Sequence, residues 1–351
     1  MEKGQAKHVF PGGNTPKGFY SLYHEGLTGL NRIFILKGGP GVGKSTLMRE
    51  LAELMLDNGY DTELWQCSSD NDSLDGVVVP ALGIGIIDGT APHTVDPRYP
   101  GAVDEIINLG DCWREEMLTN DKDKIIKLTN DISALFKNAY MHIAEAGKIY
   151  QKSATGCGTD IQAQIRSLRS RIFGGNIASA RHLFSAAITP RGLVSYADSI
   201  SNACKNRYLL GGNPCAEIAP ILSGIAVEAM DKGYKTELYH NCLAPESLDM
   251  VVIIDKSTAI IDNTLIHKNL IRRESDIIID LQPPLPGTDS TKTVAQELEK
   301  PLKEAFTLIM QAKRTHDELE KYYIDSMDFT AVDKLKAALF KKISSIISKQ
   351  A

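Results

Sequence analysis

Residues 38 to 46 read Gly-Gly-Pro-Gly-Val-Gly-Lys-Ser-Thr and fit the pattern G-x-x-x-x-G-K-[ST] at Gly38, Gly43, Lys44 and Ser45. Glycines at that spacing let successive backbone N–H groups turn inward, forming an anion nest at the positive end of the helix that follows. Gly38, Gly39, Pro40, Gly41, Val42, Gly43, Lys44, Ser45 and Thr46 are therefore expected to cradle phosphates. Lys44 is expected to reach the β- and γ-phosphates, and the Ser45 hydroxyl to take one position on Mg²⁺. A glycine-rich turn serving structure alone would not need the lysine.

A second acidic group has to help hold the metal, and it should end a strand lying beside the first one. Asp88, after the apolar run Gly-Ile-Gly-Ile-Ile, is the candidate, with a plain turn aspartate as the alternative. Gly89 and Thr90 follow it rather than a glutamate, so the group that aligns water must come from elsewhere. Asp70, Asp72 and Asp75 in Ser-Ser-Asp-Asn-Asp-Ser-Leu-Asp-Gly, and His93, are the candidates. Phe19, Tyr20 and Tyr23 could stack a nucleobase or simply pack in a core. Lys37 could reach across a dimer interface. Arg166, Arg169, Arg171 and Arg181 read as a solvated basic face, or as the source of an arginine that meets a γ-phosphate.

The elements that would position these groups occur twice. Gly59-Tyr60 match Gly233-Tyr234, an offset of 233 − 59 = 174. The same offset pairs His8 with His182, Thr15-Pro16 with Thr189-Pro190, Ser73-Leu74-Asp75 with Ser247-Leu248-Asp249, and Asp88 with Asp262. It holds without a gap from residue 8 to residue 93, with about 26 of 86 positions identical. Each copy begins with an apolar strand (33–36; 208–210) entering a glycine turn and a helix, and later has a strand ending in aspartate (84–88; 258–262). That alternation predicts a mostly parallel α/β sheet.

The copies also separate the acidic candidates. Asp75 persists as Asp249, which favours a turn or capping role, while Asp70 becomes Ala244 and Asp72 becomes Glu246. Asp88 and His93 persist as Asp262 and His267, which weighs against a purely catalytic role for either. Each copy ends in helices with one apolar stripe. Ile125, Leu128, Ile132, Leu135, Ala139, His142, Ala146 and Ile149 form the first; Leu298, Leu302, Ala305, Ile309, Ala312, His316, Leu319 and Tyr323 form the second. A further helix follows each stripe, so each core is expected to carry its own helical hairpin. His142 and His316 are expected to pack rather than bind a ligand. Residues 281–293, rich in proline and glycine, read as a linker.

With 351 residues, 43% hydrophobic and 24% charged, the chain can bury two ordinary cores. No apolar run is long enough to span a bilayer, no leader is evident, and a cytoplasmic location is the default expectation. Six cysteines without a Cys-x-x-Cys pair read as packing residues. A formal net charge of −5 gives no indication of nucleic-acid binding.

Taken together, Asn-Thr-Pro-Lys-Gly (14–18), Leu-Lys-Gly-Gly-Pro-Gly-Val-Gly-Lys-Ser-Thr (36–46), Ser-Leu-Asp (73–75) and Asp-Gly-Thr-Ala-Pro-His (88–93) resemble the signatures of bacterial tandem P-loop ATPases. The resemblance covers nearly the whole chain and implies ATP binding and hydrolysis at Lys44, Ser45 and Asp88. The second copy departs from it, with Glu217-Ile218-Ala219-Pro220 in place of Gly-Lys-Ser-Thr and Leu265-Ile266 in place of Ala-Pro. The expectation is an α/β protein of two tandem P-loop NTPase-like domains, 1–174 and 175–351, each with a helical hairpin. One ATP–Mg²⁺ site lies in the first domain and a pseudo-site in the second. Contact between the halves is expected, and a homodimer is compatible with the sequence. A small-molecule kinase and a slowly hydrolysing nucleotide switch are the rival readings.

Overall fold

The computed structural model describes residues 2–91, 94–152, 180–211, 218–280 and 290–350. The first copy opens with strands β1 (Ala6–Val9), β2 (Gly12–Thr15) and β3 (Gly18–Ser21) and the single turn α1 (Tyr23–Gly26). Strand β4 (Arg32–Lys37) leads through the glycine loop into α2 (Lys44–Asp57), followed by β5 (Thr62–Gln66), β6 (Leu74–Val79), β7 (Ile84–Asp88) and β8 (Asp104–Asn108). A short α3 (Glu115–Asn120) and a long α4 (Lys122–Lys152) complete it.

The second copy repeats the plan with β9 (Arg181–Phe184), β10 (Ala186–Thr189), β11 (Gly192–Ser195), α5 (Ala197–Ile200) and β12 (Asn206–Gly211). Then come α6 (Ala219–Asp231), β13 (Thr236–Asn241), β14 (Ala244–Ile253), β15 (Thr258–Asp262) and β16 (Asp276–Asp280). Two helices close the chain, α7 (Ser290–Ser326) and α8 (Phe329–Gln350). The helix over 290–293 takes in the end of the stretch read as a linker; 281–289 lie outside the described residues.

The architecture is α/β, with mixed, mostly parallel sheets. One sheet has the order β1-β5-β6-β7-β4-β8 and the other the related order β9-β13-β14-β15-β12-β16. In each, one strand, β6 or β14, runs antiparallel to both neighbours. The Ile33-Phe34-Ile35-Leu36 run is buried throughout because both faces of its sheet are covered. On one face Leu47, Met48, Leu51 and Met55 of α2 pack with Phe34, Leu36, Val77 and Ile86.

A third sheet, β11-β10-β2-β3, takes strands from both copies. The Thr-Pro-x-Gly sequences make its two hairpins. Thr15 Oγ1 accepts from Lys17 N (3.1 Å) and donates to Gly18 O (2.9 Å), and Thr189 does the same with Arg191 N (3.2 Å) and Gly192 O (2.8 Å). Gly18 sits at φ +89°, which a side chain would resist. Where the hairpins meet, Ile188 pairs with Asn14, its own counterpart at offset 174.

The helices correct the expectation that each core carries its own hairpin. Helices α4 and α7 pack antiparallel, with Ala139, Ile143 and Ala146 against Leu298, Ala305 and Ile309, while Lys124–Leu128 lie beside Glu318–Asp325. Val332, Leu339 and Ile343 of α8 join the core of the first copy, not that of the second. Apolar stripes specify that a helix face is buried, but not which sheet buries it. The helix expected around 161–172 lies outside the described residues. Among the described residues no helix is long and apolar enough to cross a membrane.

Candidate functional site

The glycine loop lies where β4 ends and α2 begins. Gly41 (φ +69°) and Gly43 (φ +91°) adopt left-handed backbone there. Leu47 N is the first amide of α2 to bond back, to Gly43 O at 3.0 Å. The amides of Lys44, Ser45 and Thr46 thus belong to a free helix N-terminus of the kind that attracts anions.

Strand β7 is hydrogen-bonded directly to β4, in parallel, with Asp88 in register with Leu36. That neighbour relation brings the Asp88 carboxylate to the loop. Its Oδ1 accepts from Thr90 N at 2.8 Å and its Oδ2 is 3.5 Å from Lys44 Nζ. Lys44 Nζ also donates to Gly38 O (3.0 Å) and Gly39 O (2.6 Å), folding back on its own loop. Ser45 Oγ accepts from Leu74 N at 3.0 Å, tying the loop to β6.

These groups open into a cavity of about 900 Å³. Its floor is the loop from Gly39 to Thr46 with Asp88, and one wall is Asp70, Asp72 and Ser73. Two antiparallel helices roof it: Ile132, Phe136 and Tyr140 of α4, and Lys313, Glu320 and Tyr323 of α7. The first copy's loop is therefore covered by a helix of the second copy. The contact is close, since a Cβ added at Gly39 would lie 2.5 Å from the Tyr323 ring and one at Gly41 would lie 2.8 Å from Ile324.

The acidic loop is answered by cations of the second copy. Asp70 accepts from Asp72 N (3.0 Å) and Ser73 Oγ (2.9 Å), and its Oδ2 is 3.3 Å from Lys313 Nζ. Lys313 also bonds Asp317. Burial works to lower the Lys313 pKa, but Asp317 and Asp70 outweigh it and hold the ammonium above its ordinary value. Asp72 pairs with Arg191 at the tip of the second hairpin, and both side chains are largely exposed. Lys17 and Glu246, related to that pair by the offset of 174, make the mirror-image salt bridge.

Other sequence candidates take different places. Asp75 is neither a turn nor a cap residue; it is buried on β6 and accepts from Tyr23 Oη at 2.8 Å. Tyr23 is fully buried in a core, Tyr20 packs edge-on to Phe184, and only Phe19 of the three aromatics lines the cavity. Lys37 donates to Gly89 O at 2.8 Å and pairs with Asp96. Arg181 is no solvated residue: it bonds Glu63 at 2.7 and 2.8 Å and Glu237 at 3.1 Å. His316 stands on the cavity wall with Nδ1 3.6 Å from Glu320 rather than in a core. Cys67, Cys112 and Cys242 are buried free thiols and Cys204 is partly buried. His93, Arg166, Arg169, Arg171, Cys157 and Cys215 lie outside the described residues.

Comparison with protein-family models, with curated proteins and with solved structures gave no match.

Among the described residues the second copy does not repeat this constellation. Residues 212–217 lie outside the described residues, but Ile218, the counterpart of Lys44, is fully buried with Leu210, Leu222 and Leu238. Asp262, the counterpart of Asp88, is also buried, and burial pushes its carboxyl up to about 7. Its Oδ1 accepts from Thr264 N at 3.0 Å and from Thr264 Oγ1 at 2.5 Å. Sequence reasoning missed Lys313, Glu320, Tyr323 and Arg191. All lie on the second copy: Lys313 and Glu320 stand beside the apolar stripe, Tyr323 reads only as a member of it, and the one signal for Arg191 is its basic counterpart Lys17.

Proposed function

We propose that the chain binds ATP at the loop from Gly38 to Thr46 and transfers its γ-phosphoryl group to water, at one site per chain. The observation that carries this reading is the convergence of Lys44, Ser45 and Asp88 with a free helix N-terminus on one cavity. The donor set fits Mg²⁺, with a hydroxyl and a carboxylate, both hard oxygen donors, close to the lysine. Ser45 and Asp88 would hold the ion, which would neutralise charge on the phosphates.

The remaining work belongs to the chain's own groups. Backbone amides of the loop accept the negative charge of the phosphates, and Lys44 exchanges the Gly38 and Gly39 carbonyls for phosphate oxygens. Asp70 is the carboxylate that orients water and takes its proton. It faces the cavity, and its counterpart in the copy without a lysine is Ala244. Asp72 serves instead in an ion pair between the copies, because Glu246 and Lys17 repeat that pair where the lysine is lost. The roof formed by α4 and α7 keeps bulk water from the phosphates.

Steady-state phosphate release from Mg·ATP, with no other substrate added, tests the reaction. Turnover is expected for the wild type and none for Lys44→Ala, and calorimetry is expected to give one nucleotide per chain. Equal turnover in Lys44→Ala would sink the site, and two nucleotides per chain would refute the single-site reading. One observation favours a second reading. The cavity continues past the loop to Phe19, Ile132, Phe136 and Tyr140, space that suits a hydroxyl acceptor with an apolar body. A phosphorylated small molecule in place of inorganic phosphate would establish that kinase reading.

A further inference from the structure

We propose that Lys313 of α7 is the cation that recognises the γ-phosphate, held ready by Asp70 until nucleotide arrives. The inference rests on the nucleotide site proposed above and concerns what the second copy contributes to it.

Three observations carry it. Lys313 lines the same cavity as Gly39 to Thr46 and Asp88, although it lies 269 residues from Lys44 in the chain (313 − 44). Its Nζ lies 3.3 Å from Asp70 Oδ2 and also bonds Asp317, so one ammonium is shared by two carboxylates. A phosphate entering beside Asp70 would find a charge-paired donor that can change partner without a new cation being desolvated. The third observation is internal to the chain. At offset 174 the counterpart of Asp70 is Ala244, which is buried. In the long helices the buried Ala139, Ile143 and Ala146 match the buried Ala305, Ile309 and Ala312 at an offset of 166 (305 − 139), which sets Gly147 opposite Lys313. A lysine–aspartate pair thus stands beside the copy that keeps Lys44, and Gly147 and Ala244 take those two positions in the other copy.

The pair Arg191–Asp72 provides the contrast. It too joins the copies across the acidic loop, but Arg191 does not line the cavity, and Lys17–Glu246 repeats the pair on the other side. A clamp between the halves is expected to be repeated in this way, whereas a ligand-sensing cation is not.

The experiment compares Mg·ATP and Mg·ADP affinities by calorimetry for the wild type and for Lys313→Met, Lys313→Arg, Arg191→Met and Asp70→Asn. The wild type should prefer ATP over ADP by about tenfold or more, the worth of a charge-assisted hydrogen bond. Lys313→Met should erase that preference while ADP affinity stays within about twofold. Lys313→Arg should restore most of it, and Arg191→Met should leave it intact. Asp70→Asn, which frees the ammonium, should keep or increase it. A Lys313→Met protein that still prefers ATP would overturn the inference, as would an equal loss in Arg191→Met or Asp70→Asn. Wild-type protein that binds neither nucleotide would refute the site itself; wild type that binds both equally would refute only the role of Lys313.

Discussion

Phe10 and Phe184, 174 residues apart, exchange two backbone hydrogen bonds, Phe10 N to Phe184 O at 3.0 Å and Phe184 N to Phe10 O at 2.9 Å. Each residue is thus paired with its own copy, as happens when a local two-fold axis passes between them. Ile188 with Asn14 extends the relation into the shared sheet. Around the same axis Lys7 and Arg181 are counterparts, as are Glu63 and Glu237, and the four form one cluster. The two copies are related as the subunits of a dimer would be, with the covalent link freeing each half to diverge.

The Glu63 cluster should dominate the stability of that junction. Burial works to raise the Glu63 carboxyl, but Lys7 and Arg181 outweigh it and hold the group far below the ordinary carboxylate range. Glu63→Gln leaves two partly buried cations facing Glu237 alone and should cost about 3–5 kcal/mol at neutral pH. Because the folded-state value is depressed, the stabilisation is complete above the ordinary carboxylate range and is lost as pH falls below it. Urea unfolding at pH 7 and pH 3 should therefore show a large gap between wild type and variant that narrows in acid. A gap that is small at pH 7 would show that the cluster contributes little.

Asp262 should act in the opposite sense. Its carboxyl titrates at about 7 in the folded chain because it is buried. In the unfolded chain it titrates near about 4. Between these values the folded state binds a proton that the unfolded state does not, so stability falls as pH rises through this window and levels off above it. Asp262→Asn keeps an acceptor for Thr264 N and Oγ1 while removing the titration. The variant should gain on the wild type as pH rises from 4.5 to 8, as read by thermal melts. Parallel curves over that range would mean that Asp262 titrates normally.

The order of strands around the loop was legible because apolar runs and glycine turns specify a strand leading into a helix, and Asp88 ends the strand that pairs with β4. Asp75 was misplaced because a Ser-Leu-Asp sequence looks like a turn, while its burial depends on Tyr23 arriving from α1. Lys313 and Tyr323 were beyond reach for a different reason. Their position over the loop depends on α7 crossing to the other copy's sheet, and such a choice between two similar apolar faces is settled by packing between distant segments. Arg181 looked solvent-facing because its partners, Glu63 and Glu237, are 118 and 56 residues away.

Closure of the roof over the loop should be sensitive to one methyl group. A Cβ at Gly39 would lie 2.5 Å from the Tyr323 ring, which in turn stands 6.0 Å from the ring of Trp113, one of two tryptophans in the chain. Gly39→Ala must therefore push the Tyr323 ring aside, at a cost of about 1–3 kcal/mol. Trp113 should report the displacement as a shift in emission, because the other tryptophan, Trp65, is fully buried in the opposite core cluster. Tyr323→Ala removes the obstructing ring, so the double variant should be more stable than the sum of the single losses allows. Strictly additive losses, with unchanged emission in Gly39→Ala, would mean that α7 does not press on the loop.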